Sequence, residues 1–389
     1  MQSSNATVQT SDRSRIALFD NIKALLIILV VFGHMMHPIH NDNPVLSGCF
    51  DIIYLFHMPM FVLVSGLFAK STYRDGRLNV DRIISFFVLG VAFQAALLLV
   101  NGTALTPIRL LRFSSAPWYL IAMGWWSAAT PLLYRLGVKK GLALSLALAV
   151  LVGFIELEQG FLAISRTLSF LPWFALGYYL APDQLLRLKR TRLPWIAVAL
   201  AAAVASLRLF DHEAYQPFFP MVYGDNPYAA PGFGGVIARG FAMLIALVFS
   251  IAVLKLVPER RCRLTELGGR TLQIYLLHRL IRAALTFRTP FYDLPLLAEP
   301  VAGTIAIVAL TACTVLVCNA RWLERPINAI LRVKWRVTGQ KVCPDGTGVP
   351  ICQSSHQGNG SLWWSSSHTA LSPHSGPPSS RFGEAEYVR

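Results

Sequence analysis

The chain has 389 residues, of which 54% are hydrophobic and only 14% are charged. Soluble domains carry about 25% charged residues, so this composition excludes an ordinary soluble protein and indicates a polytopic membrane protein. The net charge of +15 is also compatible with a nucleic-acid partner, but membrane topology explains it better, so no nucleic-acid partner is predicted. The basic residues fall between apolar runs, where membrane proteins place them in cytoplasmic loops beside the lipid bilayer.

Ten apolar runs are long enough, or nearly so, to cross a bilayer. They occupy residues 17–37, 50–69, 83–100, 117–136, 141–155, 165–181, 194–210, 236–257, 271–287 and 301–320. When the N-terminus is placed in the cytoplasm, the inner loops carry more Lys and Arg than the outer loops in nearly every comparison. The sequence therefore predicts an all-α, polytopic membrane helical bundle. It has about ten transmembrane helices and both termini in the cytoplasm, and it lies in the inner or plasma membrane.

The chain divides into three predicted segments. Residues 1–15 form a polar cytoplasmic N-terminus, residues 16–335 a ten-span membrane domain, and residues 336–389 a disordered cytoplasmic tail rich in Ser, Gly and Pro. The six cysteines show no paired CxxC spacing, so neither a zinc site nor a disulfide framework is predicted. We also predict no bound metal and no bound cofactor.

The first span carries ionisable residues, which are costly in hydrocarbon and usually have a function or a partner. Lys23 and His34 are eleven positions apart, so they lie about 20° apart on one helix face and about 16 Å apart along the axis. Asp20 lies one turn before Lys23, within reach of an ion pair. His34 is a candidate general base, whereas Asp20 and Lys23 are equally explained by structural roles.

The second span contributes His57, which precedes Met58 and Pro59 and falls in the same outer half of the membrane as His34. Pro59 lacks a backbone donor and permits a kink. Ser65 and Gly66 are small enough to allow a close approach of another helix.

Arginines mark two further candidate sites. Arg74, Arg77 and Arg82 lie in the basic cytoplasmic loop after the second span, where they contact lipid headgroups or bind phosphates. Arg166 begins the sixth span, where it either reaches the interface or binds an acceptor. The long outer loop at residues 210–235 either lines an acceptor cleft or only connects two spans.

Several stretches together resemble the membrane acyltransferase-3 family. Asp20-Asn-Ile-Lys23 followed by ILVVFGHMMH is similar to its first span, and YLFHMPMFVLVSGLF to its second. PWYLIAMGWW, FLPWFALGYYL, TLQIYLLH and Glu324-Arg325-Pro326 follow in the family's order. The resemblance covers roughly residues 16–330. Within the family it is closest to the fucose 4-O-acetylase group, which includes enzymes that acetylate fucose on nodulation factors.

This resemblance implies transfer of an acyl group, acetyl in the closest group, from acyl-CoA to a hydroxyl of a glycan or lipid-linked sugar. Acetyl-CoA is then a donor substrate and not a bound cofactor. The implied catalytic residues are His34, His57, Lys23 and Asp20, and the implied substrate-binding residues are Arg74, Arg77, Arg82 and Arg166. The family's arginine pair is expected slightly after the RxxR of this loop, so Asn79 and Arg82 are the alternative positions.

A transporter is the alternative function. A protein with ten spans and a polar track along one helix fits a proton-coupled exporter that uses Asp20, Lys23 and His34 as a relay. Transporters often show repeated halves, and no internal repeat is visible in this sequence.

Overall fold

The computed structural model describes residues 2–157, 160–228, 233–331 and 333–335. Its helices in chain order are α1 (Gln2–Met36), α2 (Pro44–Leu67), α3 (Val80–Val100), α4 (Pro107–Leu111), α5 (Trp118–Leu151), α6 (Ile164–Tyr179), α7 (Pro182–Arg190), α8 (Leu193–Phe210), α9 (Phe233–Leu256), α10 (Thr265–Gly268), α11 (Thr271–Arg288), α12 (Pro300–Cys318) and α13 (Glu324–Leu331). A two-stranded hairpin, β1 (Tyr73–Arg74) and β2 (Arg77–Leu78), joins α2 to α3. The predicted tail at residues 336–389 lies outside the described residues.

Seven helical segments in the described ranges are long and apolar enough to cross a membrane. They are Ala17–Met36, Pro44–Leu67, Val80–Val100, Trp118–Phe154, Leu193–Phe210, Phe233–Leu256 and Pro300–Cys318. The prediction of an all-α, multi-pass membrane protein is therefore confirmed. The three other predicted runs are also helical, and they lie in the second half of α5, in α6 and in α11.

Helix α5 is broken near its middle. Its 34 residues would extend about 51 Å at 1.5 Å per residue, well beyond a hydrocarbon core of about 30 Å. Gly137 interrupts the helix with φ 68° and ψ 178°, a conformation that glycine adopts far more readily than other residues. The two halves on either side of Gly137 correspond to the predicted runs 117–136 and 141–155.

Helix α1 lies at the centre of the bundle, in contact with α2, α10, α11 and α12. Leu18, Leu26 and Ile27 on this helix are completely buried. By contrast, Trp195 and Ile196 on α8 are more than half exposed, as expected of side chains that face lipid. The polar residues of α1 are thus surrounded by protein, where they can be matched by other polar groups.

Two glycines set the crossing of α2 and α6. A Cβ atom added at Gly66 would overlap the carbonyl of Phe174, and one added at Gly177 would overlap the carbonyl of Leu63. The two backbones therefore touch directly, as small residues allow in membrane helices. The close approach predicted from Ser65 and Gly66 is confirmed.

The turn between α1 and α2 is held by Asn43. Its side-chain oxygen accepts hydrogen bonds of 3.1 Å from the backbone N–H groups of Val45 and Leu46, which caps α2. Its Nδ2 donates to the carbonyls of Leu297 and Glu299, at 3.2 and 2.9 Å, just before α12. This residue fixes the end of the bundle at which α1 finishes and α2 begins.

Candidate active site

A cavity of about 160 Å³ lies at the end of the bundle where α1 finishes and α2, α5 and α6 begin. Its walls come from these helices, from α11, and from the loop before α9. The lining side chains are His34, His37, Tyr54, His57, Met58, Ser114, Ser115, Ala116, Trp118, Arg166, Phe170, Val222, Tyr223, Arg279 and Arg282. Three imidazoles and three guanidinium groups thus face one small space, and no carboxylate belongs to its lining in the described part of the chain.

His34 is hydrogen-bonded to a second histidine from the far end of the chain. Its Nδ1 lies 2.8 Å from Nε2 of His278. The other ring nitrogen of His278, Nδ1, lies 2.8 Å from the carbonyl oxygen of Ile274. A carbonyl can only accept, so Nδ1 of His278 carries the proton, and in the neutral ring its Nε2 is an acceptor.

The tautomer of His34 follows from this arrangement. Nδ1 of His34 must donate to His278, so the lone pair of a neutral His34 ring is on Nε2. A positive charge on either ring would be repelled by Arg279 and Arg282, which line the same cavity. His34 therefore presents an unprotonated nitrogen in the site, as a general base requires.

His57 is held in a similar way. Its Nδ1 lies 2.8 Å from the carbonyl oxygen of Ile53, one turn earlier on α2, so Nε2 again carries the lone pair of the neutral ring. The ring of Tyr54 packs edge-on against it, with centroids 4.8 Å apart. The structure thus brings His57 to the cavity of His34, as expected from their common depth in the membrane.

Arg166 reaches the cavity from the start of α6. Its Nη2 forms a short ion pair with Asp225, its Nη1 donates to the carbonyl of Ser114 at 2.9 Å, and its guanidinium lies 5.4 Å from the ring centroid of Trp118. The backbone before it adopts positive φ at Leu162 (48°), an unfavourable conformation that proteins retain mainly at functional positions.

The loop before α9 lines the cavity. The sequence left two interpretations open for this loop, the lining of an acceptor cleft or a simple connection, and the structure agrees with the first. Ser169 Oγ donates to the carbonyl of Gly224 at 2.7 Å, and this bond holds the loop against α6 beside Tyr223. Burial, together with the nearby carboxylates of Asp51 and Asp225, raises the pKa of Tyr223 above its ordinary value. Its phenol therefore stays protonated and can donate a hydrogen bond into the site.

Sequence reasoning missed Arg279 and Arg282. The predicted run 271–287 contains both residues, but their charges were counted with the outer loop that follows and no role was assigned to them. In the structure both lie within α11, which continues to Arg288, in the turn after His278. Arg279 Nη2 donates to Ser115 Oγ at 3.0 Å, and Arg282 is 9% exposed. The signal was present in the sequence, since two arginines three positions apart follow a histidine in an apolar run.

Lys23 and Asp20 lie away from this cavity. They form the predicted ion pair, with 2.7 Å between Lys23 Nζ and Asp20 Oδ1, and Lys23 is 5% exposed. The ammonium lies 5.6 Å from the ring centroid of Phe68, at the opposite end of α2 from the cavity. Neither residue lines the cavity of His34.

The arginines of the α2–α3 connection also lie at this opposite end. Asp75 and Gly76 form the hairpin turn with φ values of 53° and 73°, and Arg74 and Arg77 are partners across the two strands. Both are exposed. Arg82 is half-buried and donates to Ser71 Oγ at 3.1 Å. In the described part of the chain, no group of three or more His, Cys, Asp or Glu residues is placed to hold a metal ion.

The acyltransferase-3 family model, described as an acyltransferase domain, matches residues 16–319 of the chain. The nodulation protein NolL of Sinorhizobium fredii (strain NBRC 101917 / NGR234) is 47% identical over 57 residues. This match spans 14% of the present chain and 16% of NolL. No solved structure shows significant similarity. Because the family model covers most of the sequence and confirms the resemblance of its motifs, the chain belongs to the acyltransferase-3 family of membrane proteins.

Proposed function

We propose that the protein is a membrane O-acyltransferase that moves an acetyl or other acyl group from acyl-CoA to a sugar hydroxyl, with His34 as the general base. The observation that carries this proposal is the 2.8 Å hydrogen bond from His34 to His278. This hydrogen bond leaves the lone pair on Nε2 of His34, a residue that lines the cavity. The chain also belongs to an acyltransferase family.

In the proposed reaction, Nε2 of His34 takes the proton of the acceptor hydroxyl as its oxygen attacks the thioester carbonyl carbon. The carbon–sulfur bond of the resulting tetrahedral intermediate then breaks. The CoA thiolate leaves with the proton returned by His34, and the acyl group stays on the sugar oxygen. Nε2 of His278 accepts a hydrogen bond from Nδ1–H of His34 throughout, and the proton stays on His34, so His278 acts as a positioning residue.

The other lining groups are assigned by what they can donate or accept. The free Nε2 of a neutral His57 is an acceptor, so His57 suits a hydroxyl of the acceptor sugar better than an oxyanion. Nε of Arg166 is a buried donor without an acceptor in the described residues. We assign it to the developing oxyanion or to an oxygen of the acceptor, because a fixed donor at that place lowers the barrier.

We propose that the protein lies in the inner or plasma membrane. In the proposed topology the chain crosses the membrane ten times and both termini are in the cytoplasm. This topology places Arg74, Arg77 and Arg82 at the cytoplasmic end, where they would meet the phosphates of CoA. His34 lies near the outer end. The pantetheine arm of the donor would extend from the cytoplasmic end towards it.

The proposed acceptor is a sugar of a cell-surface or secreted glycan, or a lipid-linked sugar. The resemblance to the fucose 4-O-acetylase group and the short match to a nodulation protein make fucose of a nodulation factor the first candidate. Acetyl is the proposed acyl group on the same basis.

The exporter alternative requires a relay that continues along α1. In the described residues, Lys23 is paired with Asp20 and neither lines the cavity that contains His34. This separation favours a closed reaction site over a proton path. Flux of a sugar without acyl transfer would instead support the exporter.

The test uses membranes that contain the wild-type protein, His34→Ala or His34→Gln, with radiolabelled acetyl-CoA and a glycan extract as acceptor. We expect label in the glycan with the wild type and a loss of about 10²–10⁴-fold with either variant. Undiminished transfer by the variants, at equal protein levels, would contradict the proposal.

A further inference from the structure

The cavity contains more positive charge than the proposed reaction uses. Arg279 and Arg282 lie one turn apart on α11, and both line the cavity with His34. Arg282 is 9% exposed. Among the described residues, its guanidinium forms neither a hydrogen bond nor an ion pair, and its Nε is buried without an acceptor.

Arg279 is only partly satisfied. Its Nη2 donates to the hydroxyl of Ser115 at 3.0 Å, a neutral group that does not compensate its charge. Its Nη1 is buried and has no hydrogen-bond partner in the described part of the chain. Two neighbouring guanidinium groups thus line the same space, and among the described residues no carboxylate lines it with them.

Arg166 differs from these two residues. Asp225 neutralises it, and Ser114 accepts one of its hydrogen bonds. This comparison within one cavity shows how the protein balances a guanidinium that has a structural partner. A buried cation without a counter-ion is unfavourable, so an anion from outside the chain is the natural partner of Arg279 and Arg282.

We propose that the acceptor carries an anionic group, a phosphate or carboxylate close to its reactive hydroxyl, and that Arg279 and Arg282 bind it. This inference rests on the proposed function, and among the acceptors proposed there it favours a lipid-linked sugar phosphate or an acidic glycan over a neutral fucose. Arginine suits such a ligand because its planar donors match two oxygens of a phosphate or carboxylate at once. Binding there would place the neighbouring hydroxyl beside Nε2 of His34.

Two other anions fit the site less well. The phosphates of CoA are separated from the thioester by the pantetheine arm, so they cannot lie beside His34 while the thioester does. The oxyanion of the intermediate carries a single charge and exists only during transfer. It is absent when the acceptor binds, so it cannot balance the two buried cations at that stage.

The first test measures binding, which does not depend on turnover. His34→Gln protein in phosphatidylcholine nanodiscs is titrated with galacturonate and with galactose, and again with inorganic pyrophosphate. We expect saturable binding of both anions, binding of galactose at least about tenfold weaker, and loss of anion binding in His34→Gln/Arg282→Gln. Absence of anion binding, or equal binding in the double variant, overturns the inference.

The second test measures transfer by the otherwise unchanged protein from radiolabelled acetyl-CoA. The acceptors are methyl galacturonoside against methyl galactoside, and fucose 1-phosphate against methyl fucoside. We expect the acidic member of each pair to have a kcat/KM about tenfold higher, and Arg282→Gln to reduce this ratio towards one. Arg288→Gln, on the same helix but outside the cavity lining, is the control that should keep the ratio.

The outcomes separate this inference from the proposed function. Equal or better transfer to the neutral sugars overturns the anionic acceptor but leaves acyl transfer by His34 intact. Transfer to neutral sugars only when the nanodiscs contain phosphatidylglycerol also overturns it, since the anion would then belong to a lipid headgroup. Full transfer by His34→Gln contradicts the proposed function itself, whatever the acceptor charge.

Discussion

Nδ1 of His34 on α1 donates to Nε2 of His278 on α11 over 2.8 Å, although the two residues are 244 positions apart in the chain. His278 in turn donates to the carbonyl of Ile274 in its own helix. The helix backbone therefore determines which nitrogen of His278 carries a proton, and His278 determines it for His34. Nε2 of His34, the proposed base, therefore has its lone pair because of the carbonyl of Ile274, a residue that does not line the cavity.

His278→Phe should preserve the ring shape and remove the acceptor for His34. We expect kcat to fall about 10²-fold, because a histidine in the wrong tautomer or orientation is a poor base, while the KM for acetyl-CoA changes little. The pH dependence of kcat should also shift. The measurement is initial acetyl transfer in nanodiscs between pH 5.5 and 8.5.

His212→Gln is the control for that substitution, since His212 is exposed on the loop after α8. It should behave as wild type. If His278→Phe retained kcat within about twofold and an unaltered pH profile, the positioning role of His278 would be wrong.

Lys23→Met should destabilise the fold by about 3–5 kcal/mol, because it leaves the carboxylate of Asp20 without its buried partner. The double variant Asp20→Asn/Lys23→Met removes both charges and should recover most of that loss. It should also keep transfer within about threefold of wild type, since neither residue lines the cavity. Thermal unfolding and acetyl transfer are measured on the same nanodisc samples. A stable but inactive double variant would show that the pair acts in catalysis.

Gly66→Ala and Gly177→Ala should each disrupt the crossing of α2 and α6. The added methyl group meets backbone atoms of the facing helix, which cannot move as a side chain can. We expect a loss of about 1–3 kcal/mol or failure to fold, measured by thermal unfolding in detergent. Gly240→Ala on α9 is the matched control.

Nothing lies within 4 Å of a Cβ placed at Gly240, so alanine there should stabilise α9 by up to about 1 kcal/mol. Equal Tm values for the Gly66, Gly177 and Gly240 variants would contradict the direct backbone contact of α2 and α6.

Asp225→Asn should weaken the acceptor site by releasing the guanidinium of Arg166 and the loop before α9. A hydrogen bond to a charged group contributes about 1.5–3 kcal/mol. We expect the KM for the sugar acceptor to rise about tenfold, with a smaller change in kcat. Glu213→Gln, an exposed change on the same loop, should leave both constants as they are. If Asp225→Asn left the KM for the acceptor unchanged, the assignment of Arg166 to the acceptor site would be wrong.

Arg77→Glu should raise the KM for acetyl-CoA at least about fivefold at low salt if the hairpin between α2 and α3 attracts the CoA phosphates. One exposed charge contributes about 1 kcal/mol, and this substitution changes the charge by two units. The difference should shrink at 0.5 M salt, where exposed charges are screened. Lys139→Glu, another exposed basic residue of a predicted inner loop, serves as the control. Equal effects of the two substitutions would indicate a general charge effect and no specific donor site.

Much of the helical framework was predictable because its causes are local. An apolar run in lipid must satisfy its own backbone hydrogen bonds, so it becomes a helix, and all ten predicted runs are helical. The ion pair of Asp20 and Lys23 was predictable for the same reason, since residues three apart on a helix are neighbours. The small residues Ser65 and Gly66 likewise indicated the close crossing at α2.

The partners in the site were not predictable, because each depends on how separate helices rotate and pack. No spacing rule relates His34 to His278, or Arg166 to Asp225, which are 59 residues apart. No role was predicted for Arg279 and Arg282, because charges near the end of an apolar run are equally explained by the loop that follows it. Their burial becomes apparent only when α11 is packed against α1.

By itself, therefore, the sequence determined that this protein is a multi-pass helical membrane protein of the acyltransferase-3 family, with ionisable residues on its first span. Hydropathy and short motifs suffice for that, since both are properties of contiguous residues. Only the tertiary structure decided that His34 is hydrogen-bonded to His278 and shares a cavity with the arginines. It also decided that Lys23 and Asp20 lie outside that cavity. The reason is geometric: an imidazole needs a partner within about 3 Å, and only the packing of distant helices supplies one.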